Sequence, residues 1–96
     1  MKLKFSIDYR TYWGQKLMVS GSIKELGKWN QDKALEMSLR AGETWEATVE
    51  VPDGTTEFEY KYFTLDENNG WKGFEFGANR KQIVPKDRCE ELVIRD

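Results

Sequence analysis

The stretch EFEYKY, residues 57–62, alternates charged and aromatic side chains at every position. A period of two places the aromatic residues on one face of a β-strand and the charged residues on the other. We therefore predict a strand whose aromatic face, formed by Phe58, Tyr60 and Tyr62, enters the core. Lys61 is predicted to lie on the opposite face.

The same alternation occurs on both sides of this stretch. Apolar and polar residues alternate over residues 3–9 and 45–51, and Leu92 with Ile94 marks a short last strand. Less regular strands fit residues 17–20, 35–39, 71–76 and 81–84. Trp45 opens an apolar strand face, so we predict that it is part of the core.

Turn signals separate these segments. Pro52-Asp53-Gly54, Ala41-Gly42-Glu43 and the run from Asp66 to Gly70 carry residues that favour turns. Short strands at near-regular spacing predict an all-β fold, an antiparallel β-sandwich (immunoglobulin-like) of seven to eight short strands. At 96 residues, the chain has the size of a single domain, residues 1–96.

Composition and charge exclude several classes of function. The chain has no histidine, so a Ser-His-Asp triad is impossible, and it lacks the Cys and His residues of a zinc site. We expect no catalytic residue, no metal and no cofactor. With a net charge of −2, no basic block and no long apolar run, neither nucleic acid nor a membrane is an expected partner. With one cysteine, Cys89, the chain cannot form an internal disulfide, which favours a reducing, cytoplasmic location. We expect a monomeric module.

The run GSIKELGKWN, residues 21–30, places a large aromatic ring on a loop. Ser22 and Glu25 have capping-box spacing, which predicts one short helical turn, and Gly27 can end it in the left-handed conformation. Trp29 follows between two polar neighbours. A tryptophan in this position is either a plug for the edge of the core or an exposed platform for a ligand.

Further residues can join Trp29 on one end of the sandwich. The predicted binding face contains Trp29, Lys61, Trp71, Phe74, Glu75 and Asn79. The C–H face of a pyranose ring stacks on an aromatic ring, and Lys, Asn and Glu side chains hydrogen-bond its hydroxyl groups. Such a site is shallow, and we expect dissociation constants of roughly 10 µM to 1 mM for linked glucose units.

Four segments, in the same order, resemble the starch-binding domain, the family-20 carbohydrate-binding module. They are residues 21–30, Trp45 with residues 49–54, residues 58–63, and Asn79-Arg80. The start Tyr12-Trp13-Gly14-Gln15-Lys16-Leu17 is most similar to the modules that precede the catalytic domain in some 4-α-glucanotransferases. The resemblance implies an antiparallel sandwich that binds α-1,4-glucan without cleaving it, as part of a larger enzyme.

The resemblance also implies roles for individual residues. Trp29 matches the first aromatic platform of the family's main site, Lys61 its lysine and Asn79 its asparagine. For the second platform, Phe74 fits the register better than Trp71, and we expect both rings to line the site.

The family's second site uses tyrosines, and Met18 stands at the first of their positions. Tyr12 and Trp13 are a possible substitute, against the alternative that they pack structurally. A different function remains open as well, namely a protein-interaction domain of the same fold that uses Trp29 and Phe74.

Overall fold

A computed structural model describes residues 1–12, 14–52, 54–68, 70, 72–74, 78–85 and 91–96. In chain order its strands are β1 (Lys2–Asp8), β2 (Gln15–Gly21), β3 (Leu35–Glu36), β4 (Ser38–Leu39), β5 (Thr44–Glu50), β6 (Glu57–Asp66), β7 (Lys72–Phe74), β8 (Arg80–Ile83) and β9 (Glu91–Arg95). Two 3-10 helices, Lys24–Leu26 and Gln31–Lys33, lie between β2 and β3. Among the described residues, the helices are too short and too polar to cross a membrane.

The strands form two sheets. The first has the order β4-β5-β1-β9, and the second has the order β3-β2-β6-β7 with β8 also paired to β6. This arrangement confirms the predicted all-β sandwich. Among the described residues it contains nine strands, because the segment predicted as one strand at 35–39 is divided between the two sheets.

The division occurs at Met37. Leu35 pairs with Val19 in the second sheet, whereas Leu39 pairs with Trp45 in the first. Met37 lies between them, and its side chain is buried. The chain therefore crosses from one sheet to the other in a single residue, which a local alternation pattern does not reveal.

The last strand has a direction that the sequence pattern did not indicate. β9 pairs with β1 in parallel, with Leu3 opposite Leu92 and Phe5 opposite Ile94. All other strand pairs among the described residues are antiparallel. Alternation identifies the buried face of a strand, but it does not specify the direction of the neighbouring strand.

Aromatic residues fill the core between the sheets. The ring of Phe5 lies 5.4 Å from that of Tyr60 and 6.3 Å from that of Phe58, both with edge-to-face geometry. Trp45 is buried and its Nε1 donates to the backbone oxygen of Tyr9 at 3.1 Å. The predicted core positions of Trp45 and of the aromatic face of β6 are thus confirmed.

Asp96 connects the two sheets through the tyrosines of β6. The hydroxyl groups of Tyr60 and Tyr62 donate to Asp96 Oδ2 at 2.8 and 2.7 Å, and Arg80 Nη1 lies 3.4 Å from Asp96 Oδ1. Burial raises the pKa of the Tyr62 hydroxyl, and the hydrogen bond and the negative charge of Asp96 raise it further. This cluster, defined by Tyr60, Tyr62, Arg80 and Asp96, is called the tyrosine clamp below.

Candidate functional site

The turn that carries Trp29 has an unusual backbone. Gly27, Lys28 and Trp29 have φ angles of 86°, 48° and 65°, so three consecutive residues adopt the left-handed conformation. Gly27 does so as predicted, and without steric cost. For a residue with a side chain this conformation costs roughly 1–2 kcal/mol, so Lys28 and Trp29 are strained.

Hydrogen bonds hold the strained turn in place. The backbone N–H of Trp29 donates to the oxygen of Gly21 at 2.9 Å, that of Lys28 to Ile23 at 3.1 Å, and that of Asn30 to Gly27 at 2.9 Å. The turn also folds back on itself closely, since a Cβ atom added at Gly27 would lie 2.7 Å from the backbone oxygen of Lys33. The surrounding structure therefore fixes the position of Trp29.

The capping box predicted at Ser22 and Glu25 is wrong. The first 3-10 helix begins after Ile23, which makes no side-chain capping bond. The hydroxyl oxygen of Ser22 instead accepts a hydrogen bond from the backbone N–H of Glu59 at 2.9 Å. Ser22 thus connects the turn to β6 by a hydrogen bond between distant residues, which takes the place of the predicted capping bond.

The second sheet brings three of the predicted site residues into one row. Gly21, which holds the backbone of Trp29, is paired with Tyr60, and Ser20 is paired with Lys61. On the other side of β6, Arg80 is paired with Tyr60, so Asn79 comes next to Lys61 in the same register. The Gly21 oxygen that accepts from the Trp29 backbone is thus one residue along β2 from the partner of Lys61. We call Lys61, Asn79 and the turn of Trp29 one row on this basis.

Two strands pair with different parts of β6 on the side away from β2. β8 pairs with Glu57 to Tyr60, whereas β7 pairs with Phe63 to Leu65. Lys61 falls in the interval between these two partners. Its side chain is half-buried, while Asn79 is exposed and Trp29 is 39% exposed.

The strand β7 lies close to the turn of Trp29. Lys72 Nζ in β7 is 3.3 Å from Asp32 Oδ1 in the second 3-10 helix. The backbone of Phe74 lies opposite Phe63, two residues along β6 from Lys61. The ion pair and the register together place β7 and the turn on neighbouring parts of one surface.

Some predicted site residues lie outside the described part of the chain. Trp71, Glu75 and Trp13 are among them, and for Phe74 only the backbone is described. The choice between Phe74 and Trp71 as the second platform therefore stays a prediction. So does the role of Glu75.

Tyr12 is strongly exposed, at 72%. It precedes Gln15, which lies six residues before Gly21 at the opposite end of β2, so it is roughly 20 Å from the row of Trp29. Tyr12 is therefore not part of the row of Trp29, in agreement with its prediction only for a second site. A second site with Trp13 stays a prediction.

The structure also contains a feature that we did not predict from the sequence. Lys24, Gly27, Lys28, Asn30 and Lys33 line a pocket of about 330 Å³ beside Trp29. The close spacing of lysines in residues 24–33 was the available signal. Within the described ranges, no group of three or more His, Cys, Asp or Glu side chains is arranged to hold a metal ion.

Comparison with known families gives a match over almost the whole chain. The model of the starch binding domain family matches residues 1–93. An AA13 family lytic polysaccharide monooxygenase A of Aspergillus terreus is 40% identical over 79 residues, which are 78% of this chain and 19% of that protein. A 4-alpha-glucanotransferase of Oryza sativa subsp. japonica is 36% identical over 87 residues, which are 88% of this chain and 9% of that protein.

A solved structure has the same fold. The family 15 glucoamylase of Hypocrea jecorina superposes with a TM-score of 0.87 at 26% identity, over 99% of this chain and 16% of that one. The chain described here thus spans less than a fifth of the length of each of these three relatives.

Proposed function

The chain belongs to the starch-binding domain family and is a non-catalytic binding module, and on this premise we propose that Trp29, Lys61 and Asn79 form its contact with α-1,4-glucan. The single observation that carries this proposal is the position of Trp29. Trp29 is 39% exposed on a strained turn whose backbone is tied by a hydrogen bond to Gly21 at the end of β2. Strain retained by surrounding contacts is typical of functional residues.

The chemistry of this row suits a glucan. The indole offers a flat apolar face to the C–H groups of one glucose unit. The Lys61 ammonium and the Asn79 amide can then hydrogen-bond the hydroxyl groups at the rim of the ring. Phe74 or Trp71 supplies the second platform for the next unit, with Glu75 as a further acceptor.

Replacement of Trp29 tests the proposal. Trp29→Ala should weaken the binding of maltoheptaose by about 2 kcal/mol, or roughly 30-fold, because the central aromatic contact is lost. Retention on insoluble starch should fall in parallel, with cellulose as the negative matrix. Leu39→Ala is the matched control, since it removes a half-exposed apolar side chain from the other sheet.

The two outcomes separate clearly. Full binding by Trp29→Ala would exclude Trp29 as the platform, whereas equal losses in Trp29→Ala and Leu39→Ala would indicate an effect on folding. Thermal unfolding of both variants decides between these cases.

We also propose that the module is the N-terminal part of a 4-α-glucanotransferase that acts in the cytoplasm. The glucanotransferase of Oryza sativa subsp. japonica and the segment at residues 12–17 support the parent enzyme. The single Cys89 supports a reducing compartment. A tethered module raises the local concentration of glucan at a linked active site, and the reading frame downstream of the gene segment tests the linkage directly.

The alternative, a protein-interaction domain of the same fold, is not favoured. The match to the starch binding domain family covers residues 1–93, including every residue that this alternative would use. The binding partner that we propose is an α-glucan, and we propose neither nucleic acid nor a membrane as a partner. We propose that the module is monomeric.

A further inference from the structure

We propose that Lys24, Lys28 and Lys33 bind an anionic substituent, a phosphate monoester carried by a glucosyl unit of the bound glucan. This inference rests on the proposed function, because it requires a glucan chain on Trp29. It adds a second specificity to the module, for phosphorylated over neutral glucan.

The pocket has the size and position for this role. Its volume is about 330 Å³, and a water molecule in the liquid takes roughly 30 Å³, so a phosphoryl group fits together with part of its hydration shell. Two of the residues that line the pocket, Lys28 and Asn30, are the direct neighbours of Trp29 in the chain.

The fold of the turn brings the lysines together. The left-handed backbone at Gly27 and Lys28 reverses the chain after the first 3-10 helix. The close approach of Gly27 to the backbone of Lys33 then places the second helix against the first. Lysines that are nine residues apart in sequence, Lys24 and Lys33, thereby line the same pocket.

The charge of the pocket is positive. All three lysines are exposed, and none of them forms an ion pair with another described residue. The turn contains two acids, Glu25 and Asp32. Asp32 is already engaged by Lys72 at 3.3 Å, which leaves an excess of ammonium groups at the pocket.

Side chains rather than the backbone would hold the anion. The N–H groups of Gly27, Lys28 and Asn30 all donate to backbone oxygens within the turn. Asn30 Oδ1 accepts from the N–H of Asp32 at 3.0 Å, a bond in which the NH₂ group of Asn30 takes no part. Binding by exposed ammonium groups is screened by salt, which gives the proposal a distinctive signature.

The position beside Trp29 favours an ester on the glucan over a free anion. Exposed lysines gain little from each ion pair in water, so free phosphate alone should bind weakly. A glucan seated on the indole holds its substituents near the pocket and raises their effective concentration. The aromatic contact and the charge contact thus act together on one ligand.

Calorimetric titration with two matched oligosaccharides tests the proposal. The probes are maltoheptaose and maltoheptaose that carries one glucosyl 6-phosphate, with inorganic phosphate as a third arm. The protein should bind the phosphorylated probe roughly fivefold more tightly at low salt, and this preference should disappear at about 0.5 M salt. Lys24→Gln/Lys33→Gln should abolish the preference without changing the affinity for maltoheptaose.

Lys2→Gln/Arg95→Gln is the control, because it removes the same charge from exposed positions of the other sheet and should keep the preference. Equal affinity of the unmodified protein for the two sugars overturns the proposal, as does a preference that survives Lys24→Gln/Lys33→Gln. Binding of inorganic phosphate as tight as that of the phosphorylated sugar also overturns it, since the glucan would then be unnecessary. Failure of the proposed function looks different, because neither sugar would bind.

Discussion

Trp45 and Trp29 lie in two regions of the molecule and have the same side chain in different environments, one buried and one partly exposed. Trp45 lies in a regular strand, is 6% exposed and donates its indole N–H to a backbone oxygen. Trp29 lies on a left-handed turn, is 39% exposed and is held through its backbone N–H. In the strand region the protein fixes a ring by surrounding it, whereas in the turn region it fixes the backbone and leaves the ring accessible.

This difference separates stability from binding. Burial of a large ring contributes free energy to folding, because apolar area is removed from water in the native state. Trp29 is 39% exposed, so a ligand that covers this exposed part adds free energy of burial that folding alone does not supply. The two regions should therefore respond differently to the same deletion.

The largest expected effect is that of Trp45→Ala. Removal of this buried ring should lower the free energy of unfolding by about 3–5 kcal/mol, measured by denaturant unfolding. Trp29→Ala makes the identical chemical change and should lower it by only about 1–2 kcal/mol, because Trp29 is partly exposed. Similar losses at both positions would show that the indole of Trp29 supports the core, and the comparison would fail.

A smaller effect is expected at high pH, and it arises in the core region. Burial raises the pKa of Tyr62 above its ordinary value, which is about 10 in an unfolded chain. Above that pH the unfolded state releases a proton that the folded state keeps, so the free energy of unfolding falls as the pH rises. The contribution of Tyr62 approaches about 1.4 kcal/mol for each pH unit above 10.

Tyr62→Phe tests this expectation. The variant should be about 1 kcal/mol less stable near pH 7, because one hydrogen bond of the tyrosine clamp is lost, and its stability should decline less steeply above pH 10. Denaturant unfolding at pH 7, 9 and 10.5 measures both effects. Identical pH slopes for the two proteins would mean that Tyr62 is not protected from ionisation.

The smallest expected effect is the difference in stability between a glycine and an alanine variant, which should have opposite signs at positions 29 and 45. At position 29, Trp29→Gly should be about 0.5–1 kcal/mol more stable than Trp29→Ala, since glycine adopts a positive φ without strain. At position 45, in an extended strand, Trp45→Gly should be less stable than Trp45→Ala. Thermal unfolding of the four variants gives the two differences, and the same sign at both positions would contradict a strained turn.

Much of the fold followed from the sequence because one face of each long strand is buried. The alternation in β1, β5 and β6 predicted the buried residues, including Trp45. The pattern did not specify which strands are neighbours, so the parallel pair of β1 and β9 and the change of sheet at Met37 were not predicted. Both depend on contacts between residues that are distant in sequence.

The site was predictable only in its residue types. Trp29, Lys61 and Asn79 were predicted from their chemistry and from the family resemblance, and their role in binding stays a prediction. The strand register that brings Asn79 next to Lys61 was not predicted. The capping-box prediction was wrong at Ser22, because its hydroxyl group accepts a hydrogen bond from Glu59 in β6 and does not cap the first 3-10 helix. The lysine pocket was missed because the close approach of Gly27 to the backbone of Lys33, which brings the two 3-10 helices together, does not follow from the local sequence pattern.

The parallel pair of β1 and β9 also has a consequence for synthesis. Lys2 pairs with Glu91, so the first strand of this domain waits for one of its neighbours until nearly the whole domain has been translated. At 5–20 residues per second this delay is roughly 5–20 seconds. During that interval one edge of β1 is open to pairing with other nascent chains, until β9 covers it.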